Sequence, residues 1–115
     1  MEETLDSILT SVKKQVGITE VDDSFDADII IGINSAFTIL TQLGVGPYNG
    51  FSIRGKDETW DEFLAYGEQL ELVKTYVYLK VKLMFDPPAS GVILDAYERQ
   101  IKEYEWRLQV AADPV

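Results

Sequence analysis

Apolar residues at Leu5, Ile8, Leu9, Val12 and Val16 recur at threes and fours, the period of a helix that buries one stripe, and Gly17 ends it. A second stripe, Ile29, Ile33, Ala36, Leu40 and Leu43, widened by Ile30 and Phe37, predicts a helix running to Leu43 with Gly44 as its left-handed C-terminal residue. Asp23 or Ser24 is placed to cap that helix, and carboxylates beyond the cap suit its positive end. From Val45 to Thr59 the period is lost in Val-Gly-Pro-Tyr-Asn-Gly-Phe-Ser-Ile-Arg-Gly-Lys-Asp-Glu-Thr, which reads as a protruding loop with at most a short strand or hairpin. Connections this long without a helix tend to be functional.

Thr59 and Glu62 have the spacing of a capping box, so a short helix is expected over Trp60 to Tyr66, stopped by Gly67. Residues 68–85 are apolar on nearly every side, interrupted by Lys74, Thr75, Lys80 and Lys82, as a central buried helix would be. Asp86-Pro87-Pro88 must end it. Ser90 then caps a last helix with Leu94, Tyr97, Ile101, Tyr104 and Leu108 on one face. Asp95 with Arg99, Glu98 with Lys102 and Glu103 with Arg107 form i,i+4 charge pairs on its outer faces. Gln109 to Val115 is expected to fray. Without an internal repeat, the reading is one mainly α domain over 1–115, with four to five helices and a loop or short β-hairpin at 45–59.

Composition narrows the chemistry. The 115 residues hold 20 Asp and Glu against 10 Lys and Arg, a net charge of −10, with no His and no Cys. Disulfides, thiolate nucleophiles, imidazole bases and the usual zinc sites are therefore excluded. Nucleic-acid binding needs a basic footprint that this balance does not supply. The acidic start, Met1-Glu2-Glu3-Thr4, and the want of a long uncharged apolar run lead to the expectation of a soluble, unexported chain with no membrane partner.

Three constellations fail as sites. Asp22, Ser24, Asp26 and Asp28 alternate oxygen donors, but a calcium loop counted from Asp22 would need Gly and Glu where Ala27 and Ile33 stand. Gly44-Val45-Gly46 lacks the preceding strand and the lysine of a phosphate loop. No two acids are singled out by spacing as a catalytic pair. Hence no enzyme, metal or cofactor is expected. Trp106 lies off the last helix's apolar stripe, so its indole meets either a neighbouring element or a partner subunit.

This order of elements, with Leu43-Gly44-Val45-Gly46-Pro47, Gly50-Phe51-Ser52-Ile53, Thr59-Trp60-Asp61, the run from Val73 to Lys80, Leu83-Met84-Phe85-Asp86-Pro87-Pro88 and Tyr104-Glu105-Trp106-Arg107-Leu108, resembles the head-tail connector (adaptor or head completion) proteins of tailed bacteriophages and prophages. The resemblance spans nearly the whole chain. It implies a structural virion protein at the head-tail interface, assembled in the host bacterial cytoplasm. There it would form a homo-oligomeric ring of about twelve subunits below the portal protein, extend the DNA channel and offer a platform to the stopper or tail completion protein. DNA would pass through without specific binding. It also implies an assembly interface drawn from Phe51, Ile53 and Arg54 of the loop and Tyr104, Trp106 and Arg107 of the last helix. The alternative reading is a small acidic helical module that regulates or binds another protein. Dispersed charge on the last helix counts against DNA mimicry: residues 67–115 hold 8 acids and 6 bases, whereas residues 1–66 hold 12 and 4.

Overall fold

The computed structural model describes residues 7–63 and 69–112, in the order α1 (Ile8–Gln15), α2 (Asp26–Gln42), α3 (Trp60–Phe63), α4 (Leu70–Phe85) and α5 (Gly91–Ala112). α4 is the central helix, packed against α1, α2 and α5. Phe25 at the start of α2 meets Phe85 at the end of α4, while Trp60, which touches Phe37, reaches back to Tyr78. α2 and α4 are therefore antiparallel. Tyr76 bonds Glu105, and Leu83 lies beside Ile101, so α5 also runs against α4.

Most of the predicted stripe positions form the core; Leu5 lies outside the described residues, and Leu94 and Tyr97 are only half-buried. Ile8, Leu9, Val12 and Val16 of the first, Ile29, Ile33, Ala36, Phe37 and Leu40 of the second, and Val73, Tyr76, Val77 and Val81 of α4 are buried together. On α5, Ile101 and Leu108 are buried and Tyr104 packs half-buried beside them. The end signals act as local chemistry dictates. Ser7 caps α1 by accepting the Thr10 amide at 3.2 Å, and Ser90 accepts that of Ile93 at 3.4 Å. Thr59 and Glu62 close their capping box with reciprocal bonds of 3.1 and 3.4 Å. Gly44 stands at φ +88 past α2, where a side chain would be strained.

Several expectations are corrected. Neither Asp23 nor Ser24 caps α2: Phe25 occupies that position without a side-chain bond, and the Ser24 hydroxyl donates to Asp22 at 2.7 Å instead. The segment from Gln109 does not fray at once. α5 continues through Ala112, anchored by fully buried Leu108 and by Ala112 packed on the core. Of the three charge pairs on α5, Glu103 with Arg107 closes at 2.8 Å, and the other two are not within ion-pair distance. The short helix ends its described part at Phe63; its predicted continuation to Tyr66 and the Gly67 stop lie outside the described residues, as does Glu68.

The largest correction concerns residues 45–59. They form a loop with no strand among the described residues beyond one isolated antiparallel bridge between Ser7 and Thr59, and the loop does not stand off the core. Val45 and Ile53 are buried, and Phe51 packs edge-on against Phe37 and Phe63 at centroid distances of 5.2 and 5.4 Å. Polar bonds fasten the same segment. The Asn34 side chain holds both backbone groups of Ile53, Glu58 accepts the amides of Arg54 and Gly55, and the Glu58 carbonyl accepts the Ile8 amide. A long loop can be core when its backbone polar groups find such partners.

Candidate assembly surface

The six residues singled out for assembly separate into two classes. Ile53 is 2% exposed and Phe51 is half-buried in an aromatic cluster with Phe37 and Phe63, so both are committed to the subunit's own interior. Arg54, the next residue, is exposed, its amide held by Glu58 so that the side chain leaves the loop at a fixed point. Tyr104 is half-buried on the α4-facing side of α5, where burial favours its ring as filler. Trp106 is 65% exposed and meets no other aromatic ring among the described residues. Arg107 is exposed beside it and paired with Glu103.

Trp106 belongs to a second line on α5. Val92, Ala96, Arg99, Glu103, Trp106 and Val110 recur at fours and threes and are all exposed. Two faces of this helix are thus distinct: one stripe against α4, and one with apolar side chains turned to solvent. Such side chains on an otherwise acidic molecule are the usual mark of a contact surface when they cluster.

A further apolar patch, exposed at Phe25, Ile31 and Met84 and floored by buried Gly32 and Val81, has no counterpart in the predicted stripes. Phe25, Ile31, Gly32, Val81, Met84 and Phe85, with Asp28, line a groove of about 440 Å³ between α2 and α4. Ile31 is 60% and Met84 56% exposed on its two walls. One signal could have found it: Ile29, Ile30 and Ile31 are consecutive, and at 100° per residue three neighbours cannot all face one core. Gly32 forms the floor, where a Cβ would already touch Val81 and Met84 at 3.5 and 3.6 Å.

The loop also carries a fully exposed aromatic. Tyr48 sits in the turn closed by the Gly50 amide on the Pro47 carbonyl at 3.0 Å. That turn is fixed from behind by Gly46, at φ +90, where a Cβ would lie 2.5 Å from the Phe63 ring.

Electrostatics on the first half of the chain are set by acids. Asp22 accepts both the amide and the hydroxyl of Ser24, at 3.0 and 2.7 Å, and these bonds, the hydroxyl's first, lower its pKa below the usual carboxylate value. Lys13 is 3% exposed, an unusual place for an ammonium, and is satisfied by Asp26 at 2.9 Å and by the Glu20 carbonyl at 3.1 Å. It ties α1 to the acidic turn. Among the described residues no three carboxylates converge as a metal site would require, and no helix is long and apolar enough to cross a membrane.

The Tyr76 hydroxyl donates to Glu105 at 2.7 Å and links α4 to α5 beneath the exposed face. Burial raises the phenol's pKa far above its ordinary value, with the Glu105 bond and charge adding to the effect. The pair is a structural tie between helices.

Comparison with curated proteins and with solved structures gave no match. The family model described as "Phage connector protein" matches residues 8–115, from the start of α1 to the end of the chain. The chain therefore belongs to the phage connector family, as a helical structural component of the virion that assembles with other virion proteins.

Proposed function

We propose that this connector forms a closed ring below the portal, extends the DNA channel of the capsid and presents a platform to the stopper or tail. About twelve copies would make the ring, a cyclic assembly built on one repeated heterologous contact. The observation that carries the reading is the coexistence of a strongly acidic subunit with exposed apolar clusters. The net charge of −10 repels phosphate, so a channel lined by such subunits lets DNA slide without holding it. The apolar side chains at Trp106 and Val110, and at Ile31 and Met84, supply association energy that charge alone would oppose.

Within this reading Arg54, Trp106 and Arg107 serve the assembly directly. Phe51 and Ile53 serve it indirectly, by fixing the loop from which Arg54 and Tyr48 project. Native mass spectrometry of the purified chain over a concentration series, alone and with the portal protein of the same phage, tests the proposal. Discrete rings, or a defined multiple of subunits captured by the portal, are expected. A monomer under every one of these conditions would refute it.

A further inference from the structure

The two exposed apolar clusters differ in shape, charge and position. The groove lies where the start of α2 meets the end of α4, since Phe25 and Phe85 are in ring contact at 5.2 Å on its margin. The Trp106 and Val110 side chains lie toward the other end, because Leu108 and Ala112 pack by the Gly44–Gly46 turn that follows α2. One cluster is concave, with Ile31 and Met84 as walls around glycine. The other is a convex line along a helix.

Charge sorts them further. Asp28 lines the groove and Asp22 and Asp23 lie in the turn just before it. The α5 line carries Arg99, which has no ion-pair partner among the described residues, and Glu103, whose charge Arg107 balances at 2.8 Å, so its one unbalanced charge is positive. Groove against groove would bring acids onto acids, and line against line would leave both grooves unfilled. Groove against line joins apolar to apolar and sets Asp28 against the unbalanced Arg99. That pairing is heterologous, the kind that repeats around a ring or along a filament.

We propose that the α2–α4 groove of one copy receives α5 from a second copy, with Trp106 and Val110 seated between Ile31 and Met84 and with Arg99 drawn to Asp28. This deepens the ring reading above and rests on it, by naming the two surfaces of the repeated contact. It assigns Trp106, the most exposed of the chain's two indoles, the role of a central anchor, as large aromatic side chains have in many interfaces. A groove of this size accommodates such a side chain.

The chain has no cysteine, so single thiols report cleanly on the contact. Ile31→Cys and Val110→Cys are prepared separately, one with a mass tag, and treated with a short bis-maleimide under conditions where the parent chain assembles, with portal added if assembly needs it. Both sites are exposed, and circular dichroism melts checked against the parent confirm that the variants fold. The expected result is a crosslinked pair containing one copy of each variant, with only trace crosslinking in either variant alone, and loss of the mixed pair when Trp106→Ala is added. Assembly without the mixed crosslink overturns this inference and leaves the ring reading standing, as does self-crosslinking of either variant at equal yield. Absence of assembly under all conditions overturns both.

Discussion

Asn34 holds Ile53 by both of its backbone polar groups: the carboxamide oxygen accepts the Ile53 amide at 2.7 Å, and the carboxamide nitrogen donates to the Ile53 carbonyl at 3.0 Å. A side chain on α2 thus offers the loop what a neighbouring strand would offer, a paired donor and acceptor at one residue. Because of it, Ile53 can enter the core without stranding its own peptide groups. Asn34→Ala removes both partners from groups that are partly shielded from water. Urea unfolding should show a loss of about 1–3 kcal/mol, and hydrogen exchange at the Ile53 amide should accelerate relative to that at α4.

The loop and its neighbour should respond in opposite ways. Ile53→Ala opens a cavity at a site that is 2% exposed and should cost about 2–5 kcal/mol in thermal or urea unfolding. Arg54→Ala retains the amide that donates to Glu58 and should stay within about 0.5 kcal/mol of the parent, while weakening ring assembly. Val77→Asp, on the buried face of α4, should prevent folding, since an unpaired carboxylate there has no solvation. An Ile53→Ala variant that melted like the parent would contradict the packing of Ile53.

Much of this fold can be read along the chain, because stripes of apolar residues and helix ends depend on neighbours three or four residues apart. The α1 and α2 stripes, the Thr59–Glu62 box and the Ser90 cap are of this kind, whereas α4, apolar on nearly every side in sequence, buries one face and leaves Met84 exposed. The loop is not. Phe51 and Ile53 look exposed between glycines, and only Asn34, 19 residues away from Ile53, makes their burial possible. Lys13 follows the same logic: nothing local marks it as buried, and its partners are a carbonyl and a carboxylate brought back by the acidic turn. At the candidate surface, Trp106 was legible because it breaks the α5 stripe. The groove was not, because it takes residues from two helices, and only the run of isoleucines hinted at it.

Alkaline unfolding should report the Tyr76 tie. In the folded chain burial, and then Glu105, favour the neutral phenol, so the folded pKa is raised above the ordinary 10.0. The sign follows: the contribution is fully present below that value and is lost as pH rises above it, where only the unfolded chain ionises. Relative to Tyr76→Phe, the parent should lose stability by about 1.4 kcal/mol per pH unit above this point, and the variant should lack that component. Near neutral pH the same substitution should cost about 1–2 kcal/mol through the lost bond to Glu105.

Duplex DNA should not bind the isolated chain. With a net charge of −10, no mobility shift is expected at micromolar protein and about 150 mM salt. Submicromolar binding that weakens steeply with salt would show a basic path along the molecule and contradict an acidic channel.

Whether this connector joins head to tail is decided by deleting its coding sequence from the phage and imaging the lysate by electron microscopy, with the protein resupplied in trans as control. The account predicts heads with portals but without attached tails, restored to complete particles by the parent chain and poorly by Trp106→Ala. Normal numbers of tailed, infectious particles in the deletion would contradict it.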